Sequence, residues 1–113
     1  LSTLAKYDVN SVIFVMSNQV YAIEQVFVDV DAFCPKGKFD EFDYLPKWDY
    51  MALAKAYGAN GFQANNIKEL NSVLEKIQSS KSKKPTLVEV IIPEKDLAGQ
   101  MKNLTPQIMN CNQ

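Results

Sequence analysis

Asn18 and Glu24, six positions apart, are the side chains of this chain best placed to do chemistry. The amide oxygen of Asn18 is a neutral, hard ligand acceptable to Mg²⁺, an ion that joins one or two protein oxygens to waters and phosphates. One asparagine cannot hold a metal alone, so a carboxylate must come from elsewhere. Glu24 can act as acid or base if its site excludes water. Each also has a plainer reading, Asn18 as a turn residue with local hydrogen bonds and Glu24 as a solvated helix residue. The chain contains no histidine, which removes the commonest metal ligand and general base. Its only cysteines, Cys34 and Cys111, lie far apart in sequence. That spacing argues against zinc and suggests reduced thiols in a cytoplasmic protein.

The elements around these residues fit that placement. Five apolar residues, 12–16, run without alternation and stop at Ser17-Asn18. Such a run predicts a strand buried on both faces of a parallel sheet. In open α/β sheets ligands gather beyond the carboxyl ends of the strands, where Asn18 and Glu24 would stand. Residues 21–27 predict a short helix with Tyr21, Glu24 and Gln25 on one side. Residues 28–47 form a long irregular segment, a length more often functional than idle. It reads equally as a lid or interface arm, or as an insertion packed down by Phe33, Phe39, Phe42 and Tyr44.

Asp49 is placed to cap a helix over 50–57 whose apolar face is Met51, Leu53, Ala54 and Tyr57. Gly58 suits the left-handed position after it. A short strand over 61–64 follows. Asn66 with Glu69 makes a capping-box-like start, and Ile67, Leu70, Val73, Leu74 and Ile77 form one helical stripe. A lysine-rich loop leads to a strand over 87–92, ended by Pro93. A last helix is expected over 94–104 and a frayed tail over 105–113. Strands alternating with helices predict one α/β domain, a three-layer sandwich with a mostly parallel sheet.

The 113 residues balance 12 Lys+Arg against 13 Asp+Glu, leaving no basic excess for nucleic acid. No stretch approaches the roughly 20 apolar residues that span a bilayer. Residues 1–7 look like a helix already under way, with Leu1, Leu4 and Ala5 on one face, and no leader pattern precedes them. The chain therefore reads as part of something longer.

Four segments carry a family resemblance. Ser17-Asn18-Gln19-Val20-Tyr21-Ala22-Ile23-Glu24 resembles the Asn-Asn-x-Gly-Tyr-Thr-Ile-Glu segment of the thiamine diphosphate-dependent decarboxylases of pyruvate and indolepyruvate. Residues 42–50, from Phe42 to Tyr50 around Trp48, are similar to that family's Tyr-Asn-x-Ile-x-x-Trp-Asn-Trp. Residues 56–62 resemble the Phe-Gly-Ala-x-Gly-Phe element found widely in thiamine diphosphate enzymes, and residues 85–90 their Pro-Thr-Leu-Ile-Glu-Val strand. The four occur in the family's order.

The resemblance implies residues 1–113 as the C-terminal part of the domain that binds the cofactor's diphosphate, with 28–47 a longer loop than the family's. It implies thiamine diphosphate and Mg²⁺ as cofactors and a small 2-oxo acid as substrate. Asn18 and the backbone carbonyl of Val20 would be metal ligands, and Tyr21 and Ile23 would join them in binding the cofactor. Glu24 would be the catalytic residue that handles protons. The cofactor carries the hard step, adding to the 2-oxo group and storing electrons as CO₂ leaves. The family's Gly-Asp-Gly carboxylate lies a helix upstream of the Asn and is not found in the 17 residues before Asn18. The isolated chain is thus expected to be inactive, its parent a homo-oligomer, and the chain itself prone to self-association through exposed edges. Two departures stand out: Val20 replaces the family's glycine, where a positive φ would strain a β-branched residue, and Ser17 replaces the first Asn. An acetolactate synthase-like carboligase and a non-catalytic α/β assembly domain are the alternatives.

Overall fold

The apolar run after Ser11 forms strand β1 (Val12–Ser17), followed along the chain by β2 (Asn60–Ala64) and β3 (Thr86–Ile91). In this computed structural model, which describes residues 1–104, the three make one sheet in the order β1-β3-β2. Both pairings are parallel, with Phe14 and Phe62 flanking Val88. The helices are α1 (Ser2–Lys6), α2 (Ala22–Val28), α3 (Tyr50–Ala56), α4 (Ile67–Ser79) and α5 (Gly99–Leu104). The class is therefore α/β with an all-parallel sheet, as expected. The expected tail over 105–113 lies outside the described residues.

Two compact units divide the chain: Leu1–Ser17 with Trp48–Ile92, and Asn18–Lys47 with the chain from Pro93 onward. In the first, β3 is the doubly covered strand, buried from Thr86 through Glu89. The burial expected for residues 12–16 is not found. As an edge strand, β1 alternates exposed and half-buried, and Met16 is 58% exposed. Continuous hydrophobicity marked strands correctly but could not say which one holds the centre.

Helices cover both faces of β2. A Cβ on Gly61 would meet Ala54 Cβ at 3.1 Å and Met51 Sδ at 3.2 Å, so the strand lies tight against α3. Phe62 points to the other face and lines a cavity with Lys76 and Ile77 of α4. Asp49 caps α3 through its Oδ1, which accepts from Ala52 N–H at 2.8 Å. Gly58 takes φ +73° just beyond it. The expected apolar face of α3 is shorter than read: Ala54 is buried, Met51 and Leu53 half-buried, and Tyr57 exposed. On α4 the stripe holds from Leu70 through Ile77, centred on buried Val73, but Ile67 at the first turn is 78% exposed.

The second unit has almost no ladder. Its core is Val20, Ala22, Val26, Ala32, Phe33, Phe39 and Leu97. Between α2 and residue 47 the chain makes two 3-10 turns, Val30–Phe33 and Glu41–Asp43. The ring centroids of Phe33 and Phe39 lie 4.8 Å apart. Phe42, expected to help pack this segment, is exposed, while Tyr44 is partly exposed with its ring centroid 6.4 Å from that of Phe39. Residues 94–98 are not helical, because the chain turns where Asp96 N–H meets Pro93 C=O. Lys95 instead donates from Nζ to the carbonyls of Cys34 at 2.7 Å and Gly37 at 2.6 Å, closing that loop. A Cβ at Gly37 would collide with the carbonyl oxygens of Asp31 and Ala32, so the loop requires glycine there.

Candidate functional site

Asn18 is the first residue after β1 and opens a tight turn. Its Oδ1 accepts from Val20 N–H at 3.3 Å, and Gln19 between them takes φ +61°. The positive φ thus falls on Gln19. Val20 carries no left-handed backbone, and its branched side chain is buried in the core instead. The valine that replaces the resemblance's glycine is therefore compatible with this turn.

Val20 pairs across an antiparallel bridge with Tyr44. Tyr21 N–H donates to Asp43 C=O at 2.8 Å and Leu45 N–H to Gln19 C=O at 2.9 Å. This pattern engages the neighbours of Val20 and leaves its own carbonyl without a hydrogen-bond donor among the described residues. The Tyr21 carbonyl then accepts from Glu24 N–H and Gln25 N–H at 3.0 and 3.2 Å, starting α2. Glu24 lies in the first turn of α2 and is exposed, as are Tyr21 and Ile23. A carboxylate there is favoured by the helix dipole. Gln25, read as sharing a side with Tyr21 and Glu24, faces inward and is 0% exposed.

The buried amide of Gln25 has a structural use. Its Oε1 accepts from Asp40 N–H at 2.8 Å, and its Nε2 donates to Asp40 Oδ2 and Asp29 C=O, both at 3.4 Å. It fixes the second 3-10 turn from its amino end. Inside that turn Asp43 is 2% exposed, and its Oδ2 is buried without a hydrogen-bond partner. Burial, then the charges of Asp40 and Glu24, push its carboxyl above the ordinary aspartate value. A buried acid is thus held close to Glu24, and sequence reasoning had treated it as part of a segment likeness only. The available signal was Asp43 standing where the resembling segment has asparagine.

The expectation of reduced thiols also involves Cys111, which lies outside the described residues. Among the described residues no three His, Cys, Asp or Glu side chains are grouped to hold a metal. No described helix is long and apolar enough to cross a membrane. The turn presents two hard oxygens, Asn18 Oδ1 and the Val20 carbonyl, of the kind that can ligate such an ion. That number matches ions completed by waters and phosphates.

Comparison with known proteins supplies the context. Residues 1–90 match the family model described as thiamine pyrophosphate enzyme, C-terminal TPP binding domain. A pyruvate decarboxylase of Aspergillus fumigatus is 24% identical over 106 residues, covering 90% of this chain and 17% of that protein. A thiamine metabolism regulatory protein of Saccharomyces cerevisiae is 25% identical over 100 residues, 86% of this chain and 15% of that protein. Pyruvate decarboxylase isozyme 2 of the same yeast is 25% identical over 97 residues, 82% of this chain and 16% of that protein. The chain thus spans about a sixth of the length of these relatives.

Proposed function

Because the chain belongs to the thiamine pyrophosphate enzymes, within their C-terminal cofactor-binding domain, we propose that it supplies the metal- and diphosphate-binding turn of a non-oxidative 2-oxo acid decarboxylase, a carbon–carbon lyase. The observation that carries this reading is the turn from Asn18 to Tyr21, with the Val20 carbonyl left undonated. Asn18 Oδ1 and that carbonyl would hold Mg²⁺ when it binds with the cofactor. Both are hard oxygen donors of the kind this ion selects. When bound, thiamine diphosphate supplies the carbon nucleophile and the electron sink for loss of CO₂.

The chain's own residues bind and move protons. Tyr21 and Ile23 contact the cofactor, and their exposure leaves them free to do so. Glu24 gives and takes a proton at its carboxyl oxygens beside the substrate. The metal's carboxylate ligand comes from outside these residues, as the likeness to a family with an upstream Gly-Asp-Gly implies, and these 113 residues alone are inactive. A small 2-oxo acid is the substrate and the working enzyme is a homo-oligomer. Residues 28–47 form an elongated loop of this C-terminal part. A cytoplasmic location is part of this reading.

Paramagnetic Mn²⁺, a stand-in for Mg²⁺, tests the turn. With thiamine diphosphate present, it should broaden the amide signals of residues 18–21 first, and Asn18→Ala should abolish that selectivity. Broadening centred on Asp40, Asp43 or other acidic positions would sink the assignment. A second reading is favoured by one observation, the regulatory protein among the relatives: a cofactor-sensing domain without turnover. Assay of the whole protein for CO₂ release from 2-oxo acids separates the two.

A further inference from the structure

At the amino-terminal end of β2 and β3, the end away from Ser17 of β1, lies a cavity of about 100 Å³. Its polar lining comes from Asn10, Asn60, Lys76, Ser80, Ser82 and Thr86, and it includes no carboxylate. Each of its three hydroxyl oxygens accepts from the chain, and that of Ser82 accepts twice. Ser82 Oγ accepts from Asn60 Nδ2 at 3.2 Å and from Lys84 N–H at 3.2 Å. Ser80 Oγ accepts from Ser82 N–H at 3.1 Å. Thr86 Oγ1 accepts from the same Asn60 amide at 3.3 Å, and Thr86 is buried. None of these three hydroxyls donates to any described residue.

A hydroxyl that accepts a hydrogen bond still has its own O–H to donate. The one on Thr86 is buried and is costly unless an acceptor meets it, whereas Ser82 is half-buried and Ser80 and Lys76 are exposed. The ammonium of Lys76 adds a charge with no ion-pair partner among the described residues. The half-charge at the α4 carboxyl end opposes an anion here. The full charge of Lys76, the lysine that lines the cavity, outweighs it.

We propose that this cavity is a binding site for a phosphate-sized inorganic oxyanion, held by Lys76 and the hydroxyls of Ser80, Ser82 and Thr86. A tetrahedral oxyanion presents several acceptors and no donor once ionised, which complements a lining of donors. The site is separate from the turn at Asn18 and does not depend on the decarboxylase reading.

The test is a titration of the full 113-residue chain with inorganic phosphate, followed by amide NMR at ionic strength held constant with chloride. Saturable shifts should appear at the Asn60 side-chain amide and the backbone amides of residues 80–86. Lys76→Gln should weaken binding about tenfold, the loss of one charge-assisted hydrogen bond. Thr86→Val, which keeps the shape, should weaken it as well, while Lys81→Gln should leave it near the parent value. The same spectra report whether each variant is folded. Absence of saturable shifts in this region would overturn the proposal. So would equal weakening by Lys81→Gln and Lys76→Gln, which marks diffuse attraction to the lysine loop, or shifts confined to residues 18–24.

Discussion

The two units of this chain are held together by different kinds of bond. In the sheet unit, β3 pairs in register along its length with β1 on one side and β2 on the other, so many equivalent contacts share the load. In the motif unit a single antiparallel bridge, Val20 with Tyr44, stands where a ladder would be. Side chains do the rest: Gln25 clamps Asp40, Lys95 closes the loop at Cys34 and Gly37, and Phe33 packs on Phe39. The unit that holds the proposed metal-binding turn is thus fixed by a few particular contacts. Binding sites are commonly placed on the less redundant parts of a fold.

The sharpest way to break this comparison is to remove one of those contacts. Phe39→Ala deletes a buried ring and should cost about 3–5 kcal/mol. Amide hydrogen exchange should lose protection at Tyr21 and Leu45 and keep it along β3. Simultaneous loss along β3 would show that the units melt as one. The matching change in the sheet unit is Val88→Ala, at a side chain with 0% exposure. It should cost about 2 kcal/mol by denaturant titration, from lost burial and an unfilled cavity. Exchange should rise first in β1, β2 and β3, with the turn at Asn18 less affected.

This contrast also explains what could be read from the sequence. The sheet unit is periodic, so β1, β2 and β3 were found within a residue or two, as were the Asp49 and Asn66 caps and the left-handed Gly58. Each of these is a local rule that acts on neighbours in the chain. What failed depended on position in three dimensions. The run at 12–16 could not announce that β3, not β1, takes the centre. Ile67 matched the helical stripe but lies one turn too early to reach the sheet. In the motif unit, Gln25 and Lys95 serve distant backbone groups at Asp40, Cys34 and Gly37, which no spacing rule registers. The turn at Asn18 was legible as a segment likeness, while the burial of Asp43 behind it was not.

Asp43 sharpens the comparison through pH. Its carboxyl titrates above the ordinary aspartate value of 3.8 in the fold, chiefly from burial and then from Asp40 and Glu24. Below that ordinary value the acid is protonated in both states and costs nothing. As pH rises, the unfolded chain ionises first, so the fold loses stability until the native carboxyl has also ionised. Asp43→Asn keeps the shape and removes this penalty. The variant should be more stable than the parent at neutral pH and converge with it in acid, in thermal melts across pH. A variant less stable at neutral pH would mean that the charged carboxylate has a partner in the working protein.

The smallest effect expected is at the start of α4, where the sheet unit uses the kind of single contact that governs the motif unit. Asn66 Oδ1 accepts from Glu69 N–H at 2.9 Å. The Glu69 carboxylate reaches back to Asn65 N–H at 2.8 Å, and to the amides of Asn65 and Asn66 at 2.9 and 2.7 Å. Asn66→Ala should cost about 1 kcal/mol, the usual worth of such a cap. The bonds from Asn65, backbone first, and then from Asn66 lower the Glu69 pKa below its ordinary 4.5. Its stabilisation is therefore complete above that ordinary value and is lost as pH falls through the lower native one. Glu69→Gln should erase this acid sensitivity, opposite in sign to the effect of Asp43. Because the ladder behind α4 is redundant, exchange in β2 and β3 should hardly change in either variant. Fraying that spread from Asn66 into β2 would show that the sheet unit, too, depends on single contacts.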